Sequence, residues 1–353
     1  MHILHVVGAR PNLMKVAPVL GALKQYSQIK QTLIHTGQHY DTNMSDVFFQ
    51  QLQIPAPDVN LGVGSGSHAR QTAEIMTRFE PIVLERKPDM VLVYGDVNST
   101  VAAALVCSKL LIPVGHVEAG LRSRDRTMPE EINRLVTDQL ADLLFTPSAD
   151  GDENLEREGV PSHKIHRVGN VMIDSLVRLL PVAMEKPDGL PARYVLVTLH
   201  RPSNVDDDGR LKGILECLLE LNSELKVIFP VHPRTRRRIA EFGFNTGHLD
   251  LREPLPYIEF LALQRLATVV VTDSGGIQEE TTYLKVPCLT LRNNTERPVT
   301  VTLGTNILVG QDGATLRAEL AKILAGKRKP SSVPPLWDGH AGQRIAEILS
   351  KGG

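Results

Sequence analysis

Three carboxylates stand where short apolar runs give way to polar residues. Asp96 follows Met90–Tyr94 in GDVNST, Glu118 follows the run Val114–Val117 in HVEAGLR, and Glu130 opens an amphipathic stretch in MPEEINR. Several acids at one site let one be protonated while another stays ionised, which general acid and base catalysis requires. Arg10 and Lys15, in GARPNLMK, enter a helix after a glycine turn. The unpaired N–H groups and dipole of that helix start would add to their attraction for an anion. Taken singly, each residue has a plainer reading: Asp96 as a helix cap, Glu131 as compensation for the helix dipole, Arg10 and Lys15 as surface cations. The expectation that Asp96, Glu118, Glu130, Arg10 and Lys15 converge on one cleft is what favours a site.

The second half carries a matching set. His200 stands beside Arg201 at the end of the run Tyr194–Leu199, placed as an acid or base. His232 ends the next run, where a ligand contact competes with a buried, hydrogen-bonded role. In TDSGGIQEE at 272–280 a strand passes through a small polar turn into a helix. Backbone N–H groups of Ser274, Gly275 and Gly276 can cradle a diphosphate there, and Glu280, about one turn further on, can accept both hydroxyls of a ribose. Arg292 and Arg297 supply further cations. The chain lacks both the GxGxxG fingerprint at its first turn and any GxxxxGK[ST] loop, against a nicotinamide or flavin cofactor and a P-loop kinase. Asp206, Asp207 and Asp208 precede an apolar helix without alternating ligand spacing, and the histidines are scattered, so no metal is expected.

Buried parallel strands are read at Ile3–Val7, Thr32–Thr36, Met90–Tyr94, Val114–Val117 and Leu143–Thr146, alternating with helices over 12–23, 67–84, 98–110 and 129–140. The proline-rich segment 181–191 reads as a linker. A second series follows, with strands at Tyr194–Leu199, Leu225–Pro230, Thr268–Thr272 and Pro287–Leu291 and helices over 208–221, 234–242 and 276–284. The fold class is therefore α/β: two Rossmann-like, doubly wound parallel-sheet domains facing a central cleft. Boundaries fall at 1–180 and 191–339, with a final amphipathic helix, 340–353, that can pack back on the first domain.

Charge excludes some partners. Lys and Arg number 39 against 40 Asp and Glu, which gives no global field for nucleic acid or an anionic membrane, and aromatic residues make up only 4% for stacking on bases. No run approaches a membrane span or a signal peptide, and Cys107, Cys217 and Cys288 sit apart among apolar neighbours, as buried reduced thiols do. A cytoplasmic location is expected.

The set GARPNLMK at 8–15, GDVNST at 95–100, GHVEAGLR at 115–122, PEEINR at 129–134, TDSGGIQEE at 272–280 and NTERP at 294–298 resembles the non-hydrolysing UDP-N-acetylglucosamine 2-epimerases, in order and over nearly the whole chain. The resemblance implies a glycosyltransferase B-type fold, a homodimer, a UDP-sugar as the small-molecule partner and no cofactor. It also implies loss of UDP to give a 2-acetamidoglucal, followed by readdition with carbon 2 inverted. Asp96, Glu118, Glu130 and His200 would form the acid–base set, and Arg10, Lys15 and Arg297 would hold the leaving diphosphate. Ser274, Gly275 and Gly276 would bind phosphate, Glu280 the ribose, and Phe260 would pack on uracil. Two segments depart from many bacterial members: HRPSN at 200–204 stands for HRREN, and QHYDTNMS at 38–45 for QHRxMLDQ. The first bears on sugar choice and the second on activation by a second substrate molecule. A 2-epimerase of a UDP-2,3-diacetamido uronic acid, a hydrolysing epimerase, an inverting glycosyltransferase and a nucleotide-sugar sensor are the alternatives.

Overall fold

The computed structural model describes residues 1–38, 51–185 and 187–351, with Arg10 described in its backbone alone. The segment 38–45, apart from Gln38, lies outside the described residues. The chain divides into two compact units, Met1–Arg178 with Pro335–Gly353, and Leu179–Pro334.

In the first unit the order is β1 (His2–Val7), α1 (Arg10–Leu23), β2 (Lys30–His35), β3 (Val59–Asn60), α2 (His68–Arg86), β4 (Met90–Tyr94), α3 (Asn98–Lys109), β5 (Val114–Val117), α4 (Pro129–Leu140), β6 (Leu143–Thr146), α5 (Ala149–Arg157), β7 (Ile165–Arg167) and α6 (Val171–Leu179). The second unit runs β8 (Tyr194–Thr198), α7 (Pro202–Val205), α8 (Asp208–Asn222), β9 (Lys226–Pro230), α9 (Pro233–Glu241), β10 (Asp250–Arg252), α10 (Tyr257–Leu266), β11 (Val269–Thr272), α11 (Gly275–Leu284), β12 (Cys288–Thr290), α12 (Pro298–Thr302), β13 (Asn306–Leu308) and α13 (Gly313–Leu324). The last helix, α14 (Ala341–Lys351), belongs to the first unit.

All described strand pairs are parallel. The sheet orders are β3-β2-β1-β4-β5-β6-β7 and β10-β9-β8-β11-β12-β13. In both, the chain winds outward one way from its first strand, then returns to wind the other way. The order reverses between β1 and β4 and between β8 and β11. At such a switch point the loops beyond the strands' carboxyl ends part to opposite faces and leave a crevice where ligands bind.

Central strands are apolar because helices cover both faces. Val91, Leu92 and Val93 of β4 and Val195, Leu196 and Val197 of β8 are wholly buried, each such side chain contributing about 1.5–3 kcal/mol relative to exposure. Helix starts are capped where they leave the sheet: Asp207 accepts from the Arg210 N–H at 2.9 Å and Asp312 from the Thr315 N–H at 3.0 Å, each cap contributing about 1 kcal/mol. Asp174 of α6 supplies the cap for α14, accepting from the N–H groups of Ala341 at 3.1 Å and Gly342 at 2.7 Å. The 181–191 segment holds to its own unit, with Arg265 Nε donating to the Ala183 carbonyl at 2.8 Å.

Candidate functional site

At the first switch point the turn after β1 is built by Asn12. Its Oδ1 accepts from the N–H groups of Gly8 and Ala9 at 3.0 and 3.1 Å, and its Nδ2 donates to the Tyr94 carbonyl at the end of β4 at 2.8 Å. One helical turn on, Lys15 reaches across to Glu118, and the two form a buried ion pair. Gly95 makes room for it: a Cβ there would lie 2.4 Å from Lys15 Nζ and 3.2 Å from Glu118 Oε2, and the φ of +63° lies in the left-handed region that favours glycine. Asp96, the next residue, is only partly covered and pairs with the Arg134 guanidinium of α4. The two carboxylates are therefore held differently, one buried against an ammonium and the other at the surface of a guanidinium.

Asp96 does not cap α3; the N-cap position belongs to Val97. Glu131 is not an exposed partner of the helix dipole either. It is buried and accepts from Ser123 N and Oγ, both at 2.9 Å, from Arg124 N at 2.8 Å and from Arg134 at 2.7 Å, pinning the loop beyond Glu118 to α4. Burial acts to raise its pKa, but the Ser123 and Arg134 contacts outweigh this and hold it below the usual carboxylate range. Glu130, its neighbour in the first turn, is exposed, and its side chain makes no ion pair among the described residues. Of the five residues expected to converge, the structure brings Lys15 and Glu118 into contact, sets Asp96 beside Gly95, and leaves Glu130 on the helix start. The Arg10 side chain lies outside the described residues.

At the second switch point, β8 and β11 are in register, Thr198 opposite Thr272. This puts Asp273 beside the chain leaving β8. Fully buried, it accepts from His200 Nδ1 at 2.8 Å, from Arg201 N at 2.9 Å and from Asn204 Nδ2 at 3.1 Å. Burial acts to raise its pKa, yet the His200 contact and these donors hold it below the ordinary value. An ionised Asp273 fixes a hydrogen on Nδ1 and leaves Nε2 as the exchanging nitrogen of a partly exposed ring. His232 lies alongside, ring centroids 6.1 Å apart, and caps α9 by accepting from the Arg234 N–H at 3.2 Å.

The start of α11 is walled by arginines. Arg297 lies 2.8 Å from Glu279 and 2.5 Å from Glu296, while Arg292 holds the other Glu296 oxygen at 2.7 Å. Burial would raise the Glu296 pKa, but the charges of Arg297 and Arg292 drive it far below the usual range. Gly275 is needed for this approach, since a Cβ would come within 2.5 Å of Arg297 Nη1. With Arg201 at 3.8 Å from Glu296, three guanidiniums and two carboxylates surround a helix start led by Ser274, Gly275 and Gly276. The Ser274 N–H is taken by Thr272 Oγ1 at 3.0 Å, and the guanidiniums with the rest of the helix start suit an anion such as a diphosphate. Glu280 is buried further along α11, with one oxygen accepting from the Tyr257 hydroxyl at 2.9 Å. Burial pushes its pKa up to about 7. Phe260 is half-buried, packed on the cluster around Tyr194, Leu196 and Leu263.

The three aspartates at 206–208 do structural work: Asp206 pairs with Arg234 and Arg238, Asp207 caps α8, and Asp208 accepts from the Gly209 N–H at 2.8 Å. Among the described residues no three His, Cys, Asp or Glu are grouped to hold a metal ion, and no helix is long and apolar enough to cross a membrane.

The sequence profile described as UDP-N-acetylglucosamine 2-epimerase matches residues 21–350. The chain belongs to the UDP-N-acetylglucosamine 2-epimerase family. Among its relatives in that family, a UDP-N-acetylglucosamine 2-epimerase of Methanocaldococcus jannaschii is 44% identical, covering 98% of each chain. A UDP-2,3-diacetamido-2,3-dideoxy-D-glucuronate 2-epimerase of Pseudomonas aeruginosa is 41% identical, covering 99% of this chain and 100% of its own. The crystal structure of M. jannaschii UDP-GlcNAc 2-epimerase in complex with UDP-GlcNAc and UDP superposes with a TM-score of 0.92, at 43% identity over 100% of both chains. The two doubly wound parallel sheets are thus those of an epimerase of glycosyltransferase B type.

Set against that family, the sequence motifs hold most of the epimerase's polar switch-point residues, but not all the partnerships. Asp273 and Arg134 lie within recognised motifs and still carry no role in a reading by residue type. Tyr257 gives no signal of its own, since a tyrosine at the start of a helix is commonly core.

Proposed function

We propose that the protein interconverts UDP-N-acetylglucosamine and UDP-N-acetylmannosamine. A carboxylate removes the carbon 2 proton as the bond from carbon 1 to the diphosphate oxygen breaks, giving 2-acetamidoglucal and UDP. UDP then adds back at carbon 1, and a protonated group delivers a proton to the opposite face of carbon 2. Asp96, Glu118, Glu130 and His200 form the acid–base set. The observation that carries the reading is the buried Lys15–Glu118 pair set against Gly95 with Asp96 beside it, two acids in different environments at a switch point.

The second unit takes the nucleotide. Negative charge grows on the diphosphate as UDP leaves, and Arg297 and the α11 start stabilise it without reorganisation; Arg10 and Lys15 belong to the same anion set. Glu280 receives the ribose hydroxyls, Phe260 packs on uracil, and His232 contacts the ligand from the start of α9. Domains at 1–180 and 191–339, a homodimer and a cytoplasmic setting complete the reading; three buried free cysteines suit the last.

Replacing Arg297 with methionine should weaken UDP binding by roughly 10-fold or more, since a hydrogen bond to a charged group contributes about 1.5–3 kcal/mol. Calorimetric titration reads it, and an unchanged affinity removes Arg297 from the phosphate site. Glu280 predicts a pH effect. Below about 7 the carboxyl is protonated, whereas the ribose hydroxyls need the carboxylate as acceptor. KM for UDP-N-acetylglucosamine, whose diphosphate diester does not titrate there, should fall as pH rises through this point, and Glu280→Gln should flatten the profile. Folding is linked with the opposite sign: the folded group keeps its proton where the unfolded one has lost it, so its contribution to stability is lost as pH rises from 4.5 to about 7.

Product analysis tests the assignment. UDP-N-acetylmannosamine formed with no acceptor present excludes a glycosyltransferase, and retention of the nucleotide on the sugar excludes the hydrolysing reaction. Turnover of a UDP-2,3-diacetamido uronic acid alone would move the specificity to the sugar named for the P. aeruginosa relative.

A further inference from the structure

The strand that leads to Glu118 carries a histidine with no part in the chemistry above. His116 is wholly buried in β5, and each of its ring nitrogens faces an acceptor. Nδ1 lies 2.6 Å from Asp138 Oδ1, and Nε2 lies 2.8 Å from the Gly95 carbonyl oxygen. A carbonyl oxygen only accepts, so Nε2 carries a hydrogen. The second Asp138 oxygen is taken by Arg122 at 2.7 Å and by the Gly120 N–H at 3.1 Å. Burial opposes an ionised Asp138, but the Arg122 guanidinium and the Gly120 N–H on its second oxygen hold it in that form. An ionised carboxylate also only accepts, so Nδ1 carries a hydrogen as well.

Other charged groups surround this chain. Arg122 is itself gripped by Glu158 at 2.7 and 2.8 Å, and Lys15 and Glu118 pack against Gly95 from the other side. The carbonyl that His116 holds belongs to the peptide leading into Asp96. The next peptide is fixed as well, the Asp96 carbonyl accepting from Asn133 Nδ2 at 2.8 Å. A rigid series, Glu158 to Arg122 to Asp138 to His116, thus ends on the backbone that spaces Asp96 from the Lys15–Glu118 pair.

We infer that His116 is a positioning residue which, by donating from both ring nitrogens, ties the Gly95–Asp96 peptide to Asp138 and sets Asp96 against Glu118 for proton exchange. It acts through the backbone and touches no substrate. The inference rests on the assignment of Asp96 and Glu118 to carbon 2. A displacement of about 1 Å in a reacting group costs on the order of 10²-fold in rate, which is the loss expected in kcat for His116→Gln. The loss should fall on kcat and far exceed any change in UDP affinity, since of the side chains proposed for the nucleotide only Lys15 packs against Gly95.

The experiment joins a spectrum to a rate. Protein labelled with 15N-histidine should show two ring N–H correlations from one imidazole, both lost in His116→Gln, and that variant should lose far more in kcat than in UDP affinity. A single ring N–H from His116, a variant with wild-type kcat, or a parallel loss of UDP affinity would each overturn the inference. The wild-type spectrum decides the ring's two hydrogens even where the variant fails to fold. Asp138→Asn should lose the Nδ1–H signal, keep Nε2–H and retain more turnover than His116→Gln; the reverse ranking contradicts the proposal. Wild-type protein that leaves carbon 2 unexchanged would remove the reading of the site instead, with the count of ring hydrogens untouched.

Discussion

Replacing Glu118 with glutamine should lower the rate of proton exchange at carbon 2 by about 10²–10⁴-fold, the range that a positioned acid or base contributes. The amide keeps the size of the carboxylate but cannot take a proton. It also leaves Lys15 as a buried ammonium without its counter-charge, so thermal stability should fall, by about 3–5 kcal/mol if the site cannot relax. The two effects separate in measurement. Deuterium uptake at carbon 2 reports on the acid and thermal melting on the uncompensated Lys15, while UDP affinity should not fall, because the freed ammonium belongs to the proposed diphosphate set. A folded variant with near-normal exchange removes Glu118 from the acid–base set.

Asp273→Asn should cost a comparable factor, on the order of 10²–10⁴ in turnover, by a different route. The carboxylate accepts from His200 Nδ1 and from the N–H groups of His200 and Arg201. An asparagine must turn its NH2 toward one of these donors. The arrangement that spares the backbone N–H groups puts NH2 against His200 Nδ1, which then accepts and leaves the hydrogen on Nε2, the tautomer unable to act as a base. The loss should therefore appear in kcat, and histidine labelled with 15N should report the exchanged tautomer. A variant with normal turnover would assign His200 to binding.

Asp273 also shows where a linear reading stops. Its motif is plain at 272–280, and the polar turn there was readable as a phosphate cradle. Its contact with His200, 73 positions earlier, depends on β11 lying next to β8, and that order comes from the crossover of the sheet. The Lys15–Glu118 pair, 103 positions apart, depends in the same way on β1 and β5 flanking β4. Residue type marked both ends of each contact as polar groups at strand ends. Only the fold says which of them meet.

The strands divide along the same physical line. Interior strands such as β4 and β8 are covered on both faces, so they appear as continuous apolar runs, and their readings of Met90–Tyr94 and Tyr194–Leu199 match or nearly match the structure. The four strands without a reading, β3, β7, β10 and β13, are the four sheet edges. They are two or three residues long, as in Ile165–Arg167 and Asp250–Arg252, and half-exposed, so neither period nor hydrophobicity marks them. Glu131 failed for a related reason: an acid in the first turn of a helix is usually satisfied by the dipole, and its true partners, Ser123 and Arg124, lie in an irregular loop without a pattern.

The central claim is reversible proton exchange at carbon 2 during loss and return of UDP. It is tested most directly by proton NMR of UDP-N-acetylglucosamine incubated with the protein in deuterium oxide. The account predicts that the carbon 2 proton signal fades as deuterium enters and that UDP-N-acetylmannosamine appears alongside. A carbon 2 signal that persists, with no second sugar formed, would contradict it.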